Sequence, residues 1–282
     1  MTDQRVTHEL DEVTFELQEA HDFGWLKELG QVFAVFDRQD SGNICFGVRS
    51  QGEKLFIKYA GARPICFNGE GGEAVTRLKE ASLLYPKLAH PSLVKWIGEM
   101  ELPSGYAAVI RWEEGESLRG AEAHARFRRL PLEEKLAALG RIFDFHVHVE
   151  ARGYVAVDFY DGSLLYDFEG GGLTICDIDV YQQSPFVNPM GRLWGSSRFM
   201  SPEEFVLGVE IDGRSNVFTM GATAFALAGG GVDRSPDLWE AGEALYEVAL
   251  RAVQADRSLR YPSVLAFRTA WDRAAKGGTI TL

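Results

Sequence analysis

Cysteine, basic residues and long apolar runs are all scarce in this sequence of 282 residues. The three cysteines, Cys45, Cys66 and Cys176, are odd in number and lack the close spacing of a zinc site. Because unpaired thiols are typical of a reducing compartment, we expect a cytoplasmic protein. The N-terminus lacks the apolar core of a signal peptide. The longest weakly polar stretch, residues 217–232, is too short and too glycine-rich to span a membrane and predicts a buried helix.

The charge balance is acidic, with 41 Asp and Glu residues against 29 Lys and Arg residues and a formal net charge of -12. A chain with this charge repels a phosphate backbone, and it contains no Lys- and Arg-rich run, so nucleic-acid binding is not expected. The same charge favours a polycationic acceptor over an anionic one. Acidic residues are frequent within residues 1–20, which we interpret as an acidic extension.

The order of predicted elements indicates an α+β protein with two domains. Short β-rich runs separated by turn residues dominate the first part and predict an antiparallel meander. An apolar helical pattern follows the Gly-rich stretch 69–72, with Val75, Leu78, Leu83 and Leu84 on one face. Helical patterns dominate after Gly115. We therefore predict a strand-rich domain over residues 1–112 and a mainly helical domain over residues 113–282.

A lysine and a glutamate in the first domain are candidates for an ion pair. Lys58 ends the apolar strand 55–58, where an unpaired ammonium would be costly. Glu80 follows on the next predicted helix. Taken singly, each is most simply a solvated surface residue, but as a pair they would leave the lysine directed at a phosphate.

Two aspartates in the second domain are candidates for catalysis and metal binding. Asp158 lies in the apolar run 153–159, and Asp177 follows the predicted strand 173–176. A small predicted hairpin joins them, so both carboxylates can face one site, where one holds a metal and the other orients a hydroxyl. The alternative is that each aspartate caps a turn.

The order of these pieces resembles the protein kinase family over residues 24–275, nearly the whole chain. The segment 55–58 resembles the strand that carries the lysine for the ATP phosphates, and Glu80 resembles the partner glutamate of that lysine. The segment 108–118 resembles the hinge, with Ile110 guarding the adenine pocket and the backbone of Arg111, Trp112 and Glu113 binding the adenine edge. The loop 37–43, with Gly42, resembles the phosphate-binding loop.

In the second domain the resemblance assigns Asp158 as the catalytic aspartate and Asp177 as the magnesium ligand. Ser163 lies where the family has an asparagine that binds a second metal. The segment 199–203 resembles the Ala-Pro-Glu motif, and the resemblance implies an ion pair between Glu203 and Arg260. The fold implied is a bilobal protein kinase-like fold, with an antiparallel sheet in the N-lobe and a mainly helical C-lobe.

Several positions depart from the family pattern. The loop 37–43 has one glycine instead of three, Ala156 and Val157 replace the usual His-Arg pair, and Asp179 replaces a glycine. Tyr160 replaces the lysine that follows the catalytic aspartate. Asp161 or Asp179 is a substitute oxygen ligand for magnesium.

The resemblance implies an ATP- and Mg²⁺-dependent phosphotransferase that moves the γ-phosphoryl group of ATP to a hydroxyl acceptor. We expect the acceptor to be a Ser or Thr of a protein, as for bacterial serine/threonine kinases. Two alternatives remain: a small-molecule phosphotransferase of the aminoglycoside type, and a pseudokinase that binds nucleotide or partners without efficient transfer.

Overall fold

A computed structural model describes residues 5–277 and confirms an α+β protein with antiparallel sheets and several helices. The chain forms two compact units. The N-terminal unit comprises the residues up to Ala89 and Val94–Glu113, and the C-terminal unit comprises His90–Leu93 and the residues from Glu114 onward. Residues 1–4 of the predicted acidic extension and residues 278–282 of the predicted second domain lie outside the described residues.

The N-terminal unit is built on a five-stranded antiparallel sheet in the order β3-β4-β5-β7-β6. Alternating side chains of its strands face opposite sides, and each side is covered by a different part of the chain. The elements of this unit are β1 (Val6–Leu10), β2 (Val13–Leu17), α1 (Leu26–Leu29), β3 (Gln31–Phe36), β4 (Asn43–Ser50), β5 (Glu53–Ala60), α2 (Gly71–Ser82), α3 (Leu84–Lys87), β6 (Trp96–Leu102) and β7 (Gly105–Arg111).

One side of this sheet is covered by the segment that the sequence predicted as an acidic extension. The strands β1 and β2 pair as an antiparallel hairpin, and its residues Phe15 and Leu17 are buried. They pack in one apolar cluster with Ile57 and Tyr59 of the sheet. The extension is therefore part of the folded unit, because its few apolar side chains alternate with the acidic ones and point inward.

The opposite side of the sheet carries α2, whose Ala74 and Leu78 pack with Ala60 and Ala108. The helix begins within the predicted Gly-rich stretch, at Gly71. The sequence placed Leu83 on the apolar face, but Leu83 is 54% exposed because α2 ends at Ser82 and the chain changes direction there.

The C-terminal unit is mainly helical. Its helix α6 is buried along nearly its whole length, which confirms the buried helix predicted over 217–232, although the helix starts and ends earlier. The elements are β8 (Glu116–Ser117), α4 (Ala121–Arg128), α5 (Leu132–Ala151), β9 (Tyr154–Val155), β10 (Leu164–Asp167), β11 (Gly172–Ile175), β12 (Gln182–Gln183), β13 (Phe186–Val187), β14 (Glu210–Ile211), α6 (Gly213–Ala228), α7 (Glu243–Ala252) and α8 (Val264–Gly277).

The short segment 90–93 belongs to the C-terminal unit, whereas the sequence assigned it to the first domain. The backbone explains the difference, since Ile175 N donates to Ser92 O over 2.7 Å and Leu93 forms a parallel bridge with Ile175. Among the residues that the structure describes, no helix combines the length and the apolar character that a membrane span requires.

Candidate functional site

Lys58 lies on the side of the sheet that α2 covers in part. It is half-buried on β5, directly opposite Cys45 of β4 and Ala108 of β7. Residues directly opposite each other on antiparallel strands share a face, so these two small side chains flank the lysine. A long cationic side chain between small neighbours has room to bind an anion.

Four aromatic rings lie beside Lys58 on the N-terminal unit, and we call them the aromatic platform: Phe33, Phe36, Phe56 and Trp112. The centroids of Phe33 and Trp112 are 4.9 Å apart, those of Phe36 and Phe56 5.9 Å, and those of Phe56 and Trp112 6.2 Å. Phe56 precedes Lys58 by two positions on β5 and therefore shares its face. Phe36 is 41% exposed. A platform of partly exposed rings next to a cation suits a planar base that carries a phosphate.

The predicted hinge follows the sheet directly. Ile110 is buried and lies opposite Phe56. The amide of Arg111 donates to Lys95 O over 2.8 Å, and the amide of Trp112 donates to Lys54 O over 3.0 Å. These two amides are therefore used inside the unit, and the assignment of Arg111, Trp112 and Glu113 to adenine binding stays a prediction.

The predicted phosphate-binding loop packs against α2. Gly42 has a φ of +87°, and a Cβ atom there would lie 2.8 Å from Ala74 Cβ and 2.8 Å from Phe67 Cζ. Arg77 of α2 donates to Ser41 O over 3.1 Å. Close packing and the left-handed backbone thus explain why a glycine is needed at position 42. Its assignment to phosphate binding stays a prediction.

Glu80 lies on the outer side of α2. The buried face of the helix contains Ala74 and Leu78, and Glu80, two residues after Leu78, is rotated from that face by about 200°. The side chain is exposed. The structure therefore does not bring Glu80 toward the sheet side of the helix, and its pairing with Lys58 stays a prediction.

The two aspartates of the C-terminal unit share an uncommon backbone conformation. Asp158 has a φ of 63° and Asp177 a φ of 59°, in the left-handed region that is sparsely populated by residues other than glycine. Such conformations cost about 1 to 3 kcal/mol and persist where surrounding contacts enforce them. For the segment that leads to Asp158, Asn216 supplies such contacts: its Oδ1 accepts from Ala156 N at 2.8 Å and its Nδ2 donates to Tyr154 O at 3.0 Å.

The hairpin of β10 and β11 brings Ser163 next to the segment of Asp177. Leu164 pairs with Ile175, and Cys176 N donates to Ser163 O over 2.9 Å. Ser163 is fully buried, and its hydroxyl has no hydrogen-bond partner among the residues that the structure describes. The backbone of Ser163 thus bonds to Cys176, the residue directly before Asp177. A buried hydroxyl without a partner at this place fits a role as an oxygen ligand of Mg²⁺.

Within residues 5–277, no group of three or more His, Cys, Asp and Glu side chains could hold a metal by itself. Asp161, one of the two substitute ligands expected from the sequence, is buried and forms an ion pair with Arg198 at 2.7 Å. A metal bound by Asp177 and Ser163 would therefore need further oxygen ligands, which the phosphates of a nucleotide can provide.

Both aspartates contribute to the electrostatics of two neighbouring tyrosines. Burial raises the pKa of Tyr160, and the charges of Asp177, Asp158 and Asp161 raise it further, while Arg119 opposes them. Burial also raises the pKa of Tyr181 well above its usual value, with added contributions from Asp177, Cys176 and Asp158. Both carboxylates thus act on the same two phenols.

The ion pair between Glu203 and Arg260 is confirmed. Arg260 Nη1 and Nη2 donate to the two carboxylate oxygens of Glu203 at 2.6 and 2.8 Å, and both side chains are buried. Although burial opposes ionisation, the hydrogen bonds and charge of Arg260 lower the pKa of Glu203. This pair links the segment after residue 199 to the segment that precedes α8.

Three features of the site were not predicted: the aromatic platform as a group, the Arg198–Asp161 ion pair, and the contacts of His146. The sequence contained one indication of the aromatic platform, because Phe56 lies two residues before Lys58 on the same strand and therefore shares its face. The Arg198–Asp161 ion pair and the contacts of His146 join segments that are distant in sequence, and a local sequence pattern does not predict such contacts.

Comparison with known protein-family models gives no match, and comparison with curated proteins also gives no match.

Proposed function

We propose that the two units are the N-lobe and C-lobe of a bilobal protein kinase-like fold, and that the chain is an ATP- and Mg²⁺-dependent phosphotransferase. The observation that carries the proposal is the arrangement in the C-terminal unit. Asp158 and Asp177 both have left-handed backbone, both act on Tyr160 and Tyr181, and the segment of Asp177 adjoins an unpartnered buried hydroxyl. Strained polar residues held close together are typical of a catalytic site.

Each residue then has a defined role. Lys58 would bind the α- and β-phosphates of ATP, and the adenine base would lie on the aromatic platform. Asp177 and Ser163 would hold Mg²⁺, which neutralises charge on the phosphates when bound. Asp158 would accept the hydrogen bond of the acceptor hydroxyl and take its proton, while the new P–O bond forms and the bond to the ADP oxygen breaks.

An exposed apolar surface supports a protein as the acceptor. Its residues come from two adjoining segments, joined by the hydrogen bond from Leu193 N to Glu204 O at 2.9 Å: Val187, Met190, Trp194, Phe205, Val206 and Leu207. The surface is near Asp158, because the Cβ position at Gly195 is 3.5 Å from Asp158 Cα. An apolar surface suits a Ser- or Thr-containing peptide better than an aminoglycoside, which stays the alternative.

A pseudokinase is the second candidate, and the position of Glu80 favours it. The exposed position of Glu80 on α2 departs from the role that the family resemblance gives it, and a protein without that role could bind ATP without efficient transfer. In this case the chain would act through partners.

Nucleotide binding is tested first, by thermal unfolding with ATP in the presence and absence of Mg²⁺. A ligand at about a hundred times its dissociation constant adds about 2.7 kcal/mol, which raises the Tm by several degrees. We expect a Mg²⁺-dependent increase in the wild-type protein that is lost in Lys58→Met and in Asp177→Ala. The matched controls are Lys79→Met, which removes a partly exposed lysine of α2, and the exposed Asp237→Ala. No increase in the folded wild-type protein would contradict the proposal.

Catalysis is tested with Asp158→Asn. Asparagine tolerates left-handed backbone and has nearly the same shape as aspartate, so the fold is retained, but it accepts no proton. We expect turnover of ATP to fall by about 10²- to 10⁴-fold, with a far smaller change in ATP affinity. An equal loss of both quantities would show that Asp158 has a different role.

A further inference from the structure

His146 is a fully buried polar residue at the centre of the C-terminal unit. Its Nδ1 lies 2.8 Å from Ile142 O, and its Nε2 lies 3.0 Å from the hydroxyl of Tyr181. Since a carbonyl only accepts, Nδ1 carries the proton and donates to Ile142 O. Nε2 is then the acceptor, and the Tyr181 hydroxyl donates to it. Burial lowers the pKa of His146 to about 4, so the imidazole is neutral in this arrangement.

Tyr181 connects His146 to the segment of Asp177. It follows Asp177 by four residues and is buried, and this burial raises the pKa of its phenol well above the usual value, with added contributions from the charges of Asp177 and Asp158. A protonated phenol is the form that donates to Nε2. The hydrogen bond therefore holds the chain just after Asp177 against helix α5, which carries His146.

Phe159 connects the same histidine to Asp158. The ring of Phe159 directly follows Asp158, and its centroid lies 4.4 Å from that of His146 in an edge-to-face arrangement. Phe159 is also buried. One imidazole thus contacts, on two sides, the segments that carry the two left-handed aspartates.

We propose that the His146–Tyr181 pair is a positioning device that holds Asp158 and Asp177 in their strained conformations. The inference deepens the proposed function and rests on it for the roles of the two carboxylates. An apolar pair of the same size could fill the space. Only a directional hydrogen bond, however, fixes the segment after Asp177 in one orientation relative to the segment of Asp158.

The test uses variants that remove one hydrogen bond at a time. Tyr181→Phe removes the donor to Nε2. His146→Asn retains a group near Nδ1 that donates to Ile142 O but loses the acceptor for Tyr181, whereas His146→Gln retains an acceptor near Nε2. The matched control is Tyr246→Phe, which removes a hydroxyl that donates to Arg234 O over 2.8 Å elsewhere in the same unit.

The first measurement is hydrogen exchange of backbone amides at 158–160 and 177–181, relative to amides of the buried helix α6. The relative rate reports local opening, so a general loss of stability does not change it. We expect about a tenfold increase in Tyr181→Phe and His146→Asn, the effect of one lost hydrogen bond. His146→Gln is expected to recover most of the wild-type value, and Tyr246→Phe to leave it unchanged. A uniform increase across the unit, or no increase, would overturn the inference.

The second measurement is steady-state turnover of ATP with Mg²⁺. The two positioning variants should lower kcat about tenfold, because they disturb Asp158, and should raise the Mg²⁺ concentration needed for half-maximal turnover, because they disturb Asp177. Unchanged kcat in an active protein would overturn the inference. If the wild-type protein shows no binding or turnover of ATP, the proposed function fails, and the exchange measurement still decides whether the pair holds the two segments.

Discussion

At the scale of single residues, two adjacent glutamates show how strongly the surroundings of a carboxyl group determine its pKa. Glu203 and Glu204 are both buried, yet only Glu203 faces Arg260. Glu204 accepts from Ser201 N at 2.6 Å and from Ser201 Oγ at 2.7 Å. Burial, together with the charge of Glu203, raises the pKa of Glu204 to about 7 despite these hydrogen bonds. One side chain is thus held as an anion, and its neighbour is prone to bind a proton.

Glu204→Gln tests this difference through the pH dependence of stability. Between pH 4.5 and about 7 the unfolded chain has lost the proton of residue 204 while the folded chain keeps it, so the free energy of unfolding decreases as pH rises. In the variant this contribution is absent, and the decrease from pH 5 to pH 8 should be smaller than in the wild type by about 2 kcal/mol.

The measurement is urea unfolding at pH 5, 6, 7 and 8, with the exposed Glu133→Gln as the control. The control should follow the wild-type profile. Equal profiles for Glu204→Gln and the wild type would mean that Glu204 is ionised in the folded protein at every pH tested.

At the scale of elements, the sheet of the N-terminal unit accommodates large aromatic side chains where a neighbouring strand carries a glycine. Gly47 of β4 lies opposite Phe56 of β5, and a Cβ atom at position 47 would lie 2.7 Å from Phe33 Cζ and 3.0 Å from Trp112 Cζ3. The glycine therefore provides the space that the aromatic platform occupies. Its backbone is ordinary, so the requirement is one of volume and not of conformation.

Gly47→Ala should accordingly destabilise the N-terminal unit by about 1 to 3 kcal/mol, the usual cost of overpacking. The control is Gly98→Ala on β6, where a Cβ atom meets nothing within 4 Å. That substitution should change stability by less than about 0.5 kcal/mol. Both are measured by urea unfolding followed by tryptophan fluorescence. Equal stabilities of the two variants would show that the rings move aside without cost.

At the scale of the whole molecule, the chain forms its two units in an interleaved order. The segment 90–93 lies between two parts of the N-terminal unit along the chain, yet it pairs with β11 of the C-terminal unit. Each unit has its own apolar interior, with the clusters around Tyr59 and around Leu78 in one and the buried helix α6 in the other. A point substitution is therefore expected to act first on the stability of its own unit.

The sequence by itself determined the α+β class, the change from strands to helices, and the buried helix α6, because each depends on local periodicity and turn residues. Only the tertiary structure decided that the first strands form a hairpin with a buried inner side, that Leu83 and Glu80 are exposed, and that Arg198 neutralises Asp161. The contacts of His146 with Tyr181 and Phe159 depend on packing between segments distant in sequence, and the local sequence pattern does not predict such contacts.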